Sequence, residues 1–534
     1  MVEQETSLQA VLEPLVAVYL KLYYRGSDCS MEALIYCFSS KFRSKNFKKN
    51  KGLPRCYTFD FNEDEGVACA ILDTFDNALL RLGIVLLQTE EFLVAIDLRH
   101  RRIVEQLKLN RWLFVAELEA GPVTSLLSDV SPLRALTPVA AVTMLRGRGN
   151  ILDDEGKTRA RFHSVSLQHG EKRVTVGCTR GLRGYDKAHA DLKKWLQILG
   201  GVICGRCGEL YTRLGVDIEE YRAKPHLQIN GNDPVKETAT TIIKTYLQVA
   251  RANEEGIIAN IDTEFLHDFR VSLRKIRSVL SLFKGIYGHG ETRKLKSFFS
   301  DLTFQTNRLR DLDVYLLNKD EYYELVPVTS HGGLDILFAG LEKDRENEQK
   351  KVAGFLQSKD YRRRLRKLQK LFRRADNIEG GPGGEERTFV FACRVILKRY
   401  RNVCGLARTI DTATPDEVVH RLRIHCKKLR YSMEFFAPLF AESDIKKLIK
   451  SLKRLQDNLG KFNDYSVQQT FLKDILTRRS SWRGKEILMA ESIGALTAML
   501  YQLQRLERAE VVNNFARFDG VEMRRSYKRL FKRR

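Results

Sequence analysis

The feature that most constrains the fold of this chain is an internal repeat in its C-terminal part. The segment His267–Arg277 recurs as His420–Arg430, at an offset of 153 residues. The segment Arg310–Val314 aligns with Asn463–Val467 at the same offset. Because two separated matches keep one register, we expect a duplication, with two halves of similar fold related by a pseudo-twofold axis.

The spacing within each copy predicts a helix with one cationic side. At 100° per residue, four residues of the first copy fall in a stripe roughly 80° wide, namely His267, Arg270, Arg274 and Arg277. The matching stripe of the second copy is formed by His420, Arg423, Lys427 and Arg430. The opposite side of the first helix is apolar and is expected to face the core through Phe269, Leu273, Ile276 and Leu280.

Cations at this spacing repel one another, and a multivalent anion would relieve that cost. Arginine can hold phosphate oxygens through paired hydrogen bonds, and lysine adds a mobile point charge. A single stripe of this kind is more often a solvated basic face, but its duplication favours a ligand site. The predicted anion-binding set therefore consists of both stripes together with Lys275, Arg310, Lys428, Lys450 and Lys453.

The distribution of charge along the chain supports an anionic partner for the C-terminal part. Residues 1–225 contain 32 Lys and Arg against 28 Asp and Glu, whereas residues 226–534 contain 59 against 39. Most of the net charge of +24 thus lies in the second part. This imbalance indicates a polyanion as the partner.

A chain of 534 residues is too long for one ordinary core. We predict a helical, basic extension (1–50, helical around Leu8–Tyr24), an α+β domain with a mostly antiparallel sheet (51–220) and an all-α domain (226–534). The halves of the last domain are expected at about 226–375 and 385–534. In the α+β domain we predict a helix at Tyr185–Leu199 and strands at Phe92–Leu98, Trp112–Leu118, Val139–Leu145 and Arg159–Leu167. Roughly ten helices are expected after Pro225, with interruptions at Gly285–Gly290, Thr329–Gly333, Glu379–Gly384 and Thr409–Pro415.

The chain contains no apolar run of 18 or more residues and no export signal at its start. Its ten scattered cysteines are typical of reduced thiols. We therefore expect a cytoplasmic protein that does not associate with a membrane. A single C-x-x-C, Cys204 to Cys207, lacks two further zinc ligands at suitable spacing, so two free thiols and no metal are expected.

The repeated segments resemble the CHAD family, the conserved histidine α-helical domain. His267–Arg277 and Leu309–Val314 resemble the motifs of its first half, and His420–Tyr431 with Leu455–Gly460 those of its second. The family usually has Gly-Pro shortly before the Arg-Asp pair, where this chain has Asn307-Arg308, so the local turn should differ. The resemblance implies two pseudosymmetric four-helix bundles beside a basic channel. It also implies inorganic polyphosphate as the ligand, often at polyphosphate granules.

The N-terminal domain resembles the CYTH or triphosphate tunnel fold through Ile71–Asp76, Leu80–Leu86 and Leu152–Ala160. Active members need an acidic Glu-x-Glu-x-Lys strand whose carboxylates hold a divalent metal. The corresponding strand, near Cys56–Phe61, offers one carboxylate and no matching lysine. We therefore expect a degenerate domain without catalytic residues or a cofactor, which binds weakly or supports its neighbour.

Two other functions stay open at this point. In the first, the N-terminal domain hydrolyses triphosphate or polyphosphate with Mg²⁺ or Mn²⁺, using a metal held by Glu117 and Glu119 on one face of a predicted strand. The second is nucleic-acid binding, although neither cationic stripe carries the aromatic residues on which bases would stack. The duplicated histidines have no predictable nucleophile beside them, so we assign His267 and His420 to phosphate binding.

Overall fold

The computed structural model describes residues 35–39, 42–108, 112–411, 413–477 and 484–532, and the helix predicted at Leu8–Tyr24 lies outside them. The chain divides into two compact units, Met1–Glu220 and Tyr221–Arg534. Within the described ranges, none of the helices is long and apolar enough to cross a membrane.

The first unit is built on a curled, antiparallel sheet, a half-barrel. Among the described residues its ten strands are β1 (Ile35–Phe38), β2 (Thr58–Glu63), β3 (Val67–Thr74), β4 (Ile84–Gln88), β5 (Phe92–Asp97), β6 (Arg102–Leu107), β7 (Leu136–Leu152), β8 (Thr158–His169), β9 (Lys172–Gly181) and β10 (Val202–Ile203). Their order is β10-β1-β9-β8-β7-β3-β4-β5-β6, and β2 pairs with β7 beside this path. Because β1 pairs with β9, the sheet begins before residue 51, where the sequence placed the start of this domain.

In the described part of this unit, four α-helices accompany the sheet, namely α1 (Ala78–Leu82), α2 (Pro122–Leu126), α3 (Asp186–Ile198) and α4 (Cys207–Leu214). Side chains alternate between the two faces of each strand, and both faces are buried. One face packs with α4 into an apolar cluster that includes Ile71, Val94, Val165 and Val176. The opposite face packs against α3 at one end and against α1 and α2 at the other.

Most sequence predictions for this unit are confirmed, and one is wrong. Strands occupy the predicted regions near Phe92, Val139 and Arg159, and α3 matches the predicted helix. Trp112–Leu118 is not a strand, because Val115–Glu117 form a 3-10 turn. The Glu117 carboxylate caps that turn by accepting hydrogen bonds from the backbone N–H of Leu113 and Phe114, at 2.7 and 3.1 Å. Glu117 and Glu119 therefore do not share a strand face that could hold a metal.

The second unit is helical throughout, and its described residues form thirteen α-helices. They are α5 (Val235–Ala252), α6 (Glu254–Ile258), α7 (Thr263–Leu282), α8 (His289–Gln305), α9 (Asn307–Leu317), α10 (Lys319–Glu324), α11 (His331–Gln357), α12 (Lys359–Leu371), α13 (Thr388–Ala407), α14 (Asp416–Phe436), α15 (Glu442–Thr477), α16 (Lys485–Phe518) and α17 (Val521–Phe531). The four predicted interruptions all fall at helix boundaries. The count exceeds the expected ten, partly because α6 and α10 are too short to show a periodic pattern.

The duplication is visible in where the helices begin. The first residues of α5 and α13, of α7 and α14, and of α8 and α15 are each 153 positions apart. The halves then diverge, because α8 and α9 are separated at Thr306 whereas α15 runs unbroken through the corresponding residues. Because of this break, residues at matching positions of the two cationic stripes have different neighbours.

Candidate functional site

The two repeated segments lie on α7 and α14, and each helix buries its apolar side as predicted. Phe269, Leu273, Ile276 and Leu280 are at most 2% exposed. Leu422, Cys426 and Leu429 on α14 are fully buried. The carboxylate of Asp262 caps α7 by accepting hydrogen bonds from the backbone N–H of Glu264 and Phe265. This packing fixes the direction in which each cationic stripe points.

Arg274 is the residue at which the two stripes meet. It lies close enough to Arg423 and Lys427 on α14 for its charge to depress the pKa of both groups. The three side chains line one cavity of about 870 Å³. The cations around this cavity are Lys224, Arg274, Lys275, Arg423, Lys427, Arg430 and Lys446, and the carboxylates are Glu434, Glu442 and Asp457. The cavity therefore has an excess of positive charge, which would attract an anion.

The ionisation of these groups reflects both burial and mutual repulsion. Burial, followed by the nearby Arg423 and Arg274, lowers the pKa of Lys427 to about 8. Burial likewise lowers the pKa of Arg270 to about 10, with Asp311 opposing the shift and three neighbouring arginines adding to it. Lys427 and Arg270 thus lie in environments that disfavour their charged forms, and an anion bound in the cavity would relieve that penalty for Lys427.

Arg270 and its counterpart Arg423 have different roles despite their matching positions. The Arg270 guanidinium donates hydrogen bonds to the Thr303 carbonyl at 3.1 Å and to the Thr306 hydroxyl at 2.9 Å. It thereby caps the end of α8 at the break before α9. The matching helix in the second half has no such break, and Arg423 reaches Asp464 at 3.4 Å and lines the cavity. The predicted symmetry of this pair is therefore not present in the structure.

Lys275 lies at the edge of the cavity but is held in an ion pair. Its ammonium group contacts the Glu434 carboxylate and lies 4.3 Å from the centre of the Tyr431 ring. Arg430 donates to the other oxygen of Glu434 at 2.6 Å. The counterpart of Lys275, Lys428, is absent from the cavity lining, and burial followed by Arg399 and Lys284 lowers its pKa. This pair of lysines does not form a matched binding element.

The residues around the duplicated histidines also differ between the halves. His420 Nδ1 lies 2.7 Å from the side-chain oxygen of Asn463, whose counterpart in the first half is Arg310. Arg310 lies near Arg274, which contributes to lowering its pKa after burial. Among the described residues, Arg310 Nη1 and Arg423 Nε are buried donors without a hydrogen-bond partner. Such donors are uncommon, and phosphate oxygens are acceptors that would satisfy them.

The cavity is lined by five of the thirteen predicted residues, Arg274, Lys275, Arg423, Lys427 and Arg430, and by several that the sequence did not single out. The predicted residues outside its lining are His267, Arg270, Arg277, Arg310, His420, Lys428, Lys450 and Lys453. The lining residues missed by sequence reasoning include Lys224, His226, Tyr431, Lys446 and Gln456. Lys446 lies in the same lysine-rich segment as Lys450 and Lys453, and Gln456 lies in the motif Leu455–Gly460. The sequence therefore contained a signal for both residues. Lys224 and His226 come from a segment without periodicity, which carried no such signal.

Several acidic and cysteine residues of the first unit have structural contacts. Arg146 forms ion pairs with Asp64 and Glu105, at 3.3 and 3.4 Å. Cys204 and Cys207 are buried, free thiols. In the part of the chain that the structure describes, no three His, Cys, Asp or Glu side chains are grouped so as to hold a metal ion.

Comparisons with known proteins match this chain to one domain family. Residues 241–473 match the CHAD domain family. Among solved structures, the chain is similar to the CHAD domain from the plant Ricinus communis, with 23% identity and a TM-score of 0.46, covering 56% of this chain and 96% of that one. It is also similar to PptA from Streptomyces chartreusis, with 12% identity and a TM-score of 0.42, covering 53% of this chain and 99% of that one. A search of curated proteins finds no match.

The matched residues include both cationic helices, α7 and α14, and most of α15. The curled antiparallel sheet of the first unit is consistent with a CYTH-like fold. The chain therefore contains a CHAD domain, which lies in its helical second unit.

Proposed function

We propose that the second unit binds inorganic polyphosphate in the cavity where α7 and α14 meet. The observation that carries this proposal is the convergence of Arg274 with Arg423 and Lys427, three cations from two repeated helices. These three cations repel one another, and a polyanion bound between them reduces that repulsion, which favours binding. The buried, unpartnered Nε donor of Arg423, which lines the cavity, supplies a further contact for a phosphate oxygen.

Three carboxylates also line the cavity, and two of them are neutralised. Glu434 is bound by Lys275 and Arg430, and Glu442 forms an ion pair with Lys446. Asp457 is exposed on α15 and leaves the excess of positive charge in place. Because Glu434 and Glu442 already have cationic partners, an anion that enters the cavity can contact Arg274, Arg423 and Lys427 without displacing either of these two carboxylates.

We propose that the first unit is a degenerate tunnel-like domain without catalysis. The support for this role is the apolar cluster that fills one face of its sheet. Ile71, Val94, Val165 and Val176 occupy positions on a face that a charged, metal-holding lining would require to be polar. In β2, the family's acidic motif is replaced by Asp60 and Glu63, and Glu63 is bound to Arg173 at 2.8 Å.

Competition between polyphosphate and DNA tests the proposed function against general affinity for polyanions. We expect polyphosphate to displace a fluorescent DNA duplex from the full chain at physiological salt, and excess DNA to displace polyphosphate poorly. Both affinities should fall with added salt, because counterions are released on binding. Tighter binding of DNA than of polyphosphate, compared per negative charge, would contradict the proposal and favour nucleic acid as the partner.

A second prediction concerns the pH dependence of binding. Burial, Arg423 and Arg274 lower the pKa of Lys427 to about 8, while Asp464 opposes the shift. A bound anion stabilises the charged form, so it raises this pKa and the complex takes up protons. The affinity should fall as the pH rises through about 8. Calorimetry in buffers of different ionisation enthalpy should detect uptake of up to about half a proton per site at that pH.

The control for this measurement is Lys427→Arg, which keeps the positive charge but does not titrate in this range. We expect the variant to bind polyphosphate with less proton uptake near pH 8 than the natural chain. Equal uptake by the two proteins would show that another group titrates, and would remove Lys427 from the binding site.

A further inference from the structure

The cavity changes in character along α14. Arg423, Lys427 and Arg430 follow one another toward the end of the helix, and Ala437, Pro438 and Phe440 come directly after it. Because α15 runs back alongside α14, its later residues Gln456 and Asp457 lie toward the cationic end. Its earlier residues Ile445 and Ile449 lie toward the apolar end, beside Glu442 and Lys446, which neutralise each other in an ion pair. One cavity thus has a cationic end and an apolar end.

Inorganic polyphosphate has no apolar group that could contact the apolar end of the cavity. Every unit of that chain carries charge, and a charged unit held against Pro438, Phe440 and Ile449 would lose hydration at an end where Lys446 is already paired with Glu442. Ile449 and Phe440 are partly exposed within the cavity, so they offer contact area to a ligand. The segment Ala223–Leu227 contributes another apolar side chain, Leu227, to the lining.

We propose that this cavity binds an organic phosphate ester, a diphosphate group attached to an apolar carbon body. The inference rests on the proposed function, because the diphosphate uses the same Arg274, Arg423 and Lys427. The apolar body contacts Pro438, Phe440 and Ile449. A volume of about 870 Å³ lies within the range of cavities that enclose organic ligands of this size. Such cavities combine an apolar wall with a few charged groups, as this one does.

Matched probes test the inference by keeping the anion constant and changing the body. Calorimetry on the full chain would compare inorganic pyrophosphate with geranyl diphosphate, which has an aliphatic body, and with ADP, which has an aromatic one. We expect at least one ester to bind roughly tenfold or more tightly than pyrophosphate, because burial of its carbon body adds apolar contact. Equal affinity of all three probes would overturn the inference.

Ile449→Glu places a carboxylate on the apolar wall and should remove the advantage of the ester over pyrophosphate, because its negative charge opposes both ligands whereas only the ester loses contact with its carbon body. The matched control is Ile487→Glu, at an isoleucine on α16 that is 47% exposed and outside the cavity lining. The control should retain the advantage. An ester preference that survives Ile449→Glu would place the body elsewhere and would contradict the assignment.

Competition with long-chain polyphosphate separates this inference from the proposed function. Displacement of polyphosphate by the ester supports one shared cavity. Binding of polyphosphate together with equal affinity for pyrophosphate and both esters would refute the ester site alone. Absence of binding by polyphosphate, pyrophosphate and the esters would refute both.

Discussion

Reversing the charges of Arg274 and Lys427 together should weaken polyphosphate binding by at least about 100-fold, because each contact of a charged group with phosphate contributes on the order of 2 kcal/mol. Arg274 comes from α7 and Lys427 from α14, so the double variant Arg274→Glu, Lys427→Glu removes one central cation from each repeated helix. Binding can be measured by fluorescence anisotropy with labelled polyphosphate at fixed salt. Both residues lie outside the apolar core, so the fold should persist.

The control for this variant must carry the same change in net charge. Lys367→Glu and Arg373→Glu meet that requirement, since both cations are exposed, on α12 and just after it, and neither lines the cavity. We expect this control to weaken binding only modestly, through the long-range field. An equal loss in the two double variants would show that polyphosphate responds to overall charge, and the proposed cavity would then be wrong.

The duplication and the two amphipathic helices could be predicted from the sequence because both are local properties. A periodic pattern fixes which side of α7 is apolar, and Phe269 and Ile276 are buried as expected. A shared offset fixes which residues correspond, and α7 and α14 begin 153 positions apart. These two relations also place Arg274 and Lys427 at matching positions of the two cationic stripes.

The roles of individual cations could not be predicted, because they depend on contacts between distant segments. Arg270 and Arg423 are equivalent by the repeat, yet only Arg270 faces a helix break, at Thr306. Lys275 meets Glu434, 159 residues away, and no periodicity indicates that pair. The segment that contains Lys224 lies outside both repeats and still reaches the cavity. Equivalence under a repeat therefore predicts a position on a helix but not the partner that the side chain meets there.

The sheet of the first unit shows the same limit. Short runs with β character predicted the strands near Phe92 and Arg159, where side chains alternate between two buried faces. The run Trp112–Leu118 has the same character, but Glu117 uses its carboxylate to cap a turn. A glutamate that accepts hydrogen bonds from nearby backbone N–H groups is the same residue type as a glutamate at an exposed strand position. The sequence therefore does not distinguish the two roles.

Glu434→Gln should destabilise the second unit by about 2–3 kcal/mol, the largest effect on stability expected from a single change near the cavity. The substitution keeps the shape of the side chain but leaves Lys275, whose side chain is 10% exposed, without the carboxylate that its ammonium contacts. The glutamine amide keeps one oxygen in place of two, so it can no longer accept at both of the positions where Lys275 and Arg430 donate. Urea unfolding followed by circular dichroism should show a lower free energy of unfolding.

A matched substitution in an exposed ion pair provides the control. Glu442→Gln removes the partner of Lys446 at the surface, where solvent replaces the lost interaction, and no measurable change in stability is expected. The double variant Lys275→Met, Glu434→Leu should recover most of the stability lost in Glu434→Gln, because it removes both buried charges. If Lys275 is a structural cation, this double variant should also retain polyphosphate binding, since Arg274, Arg423 and Lys427 remain. A loss of affinity comparable to that of Arg274→Glu, Lys427→Glu would instead assign Lys275 to the ligand and show that its ion pair with Glu434 opens when the anion binds.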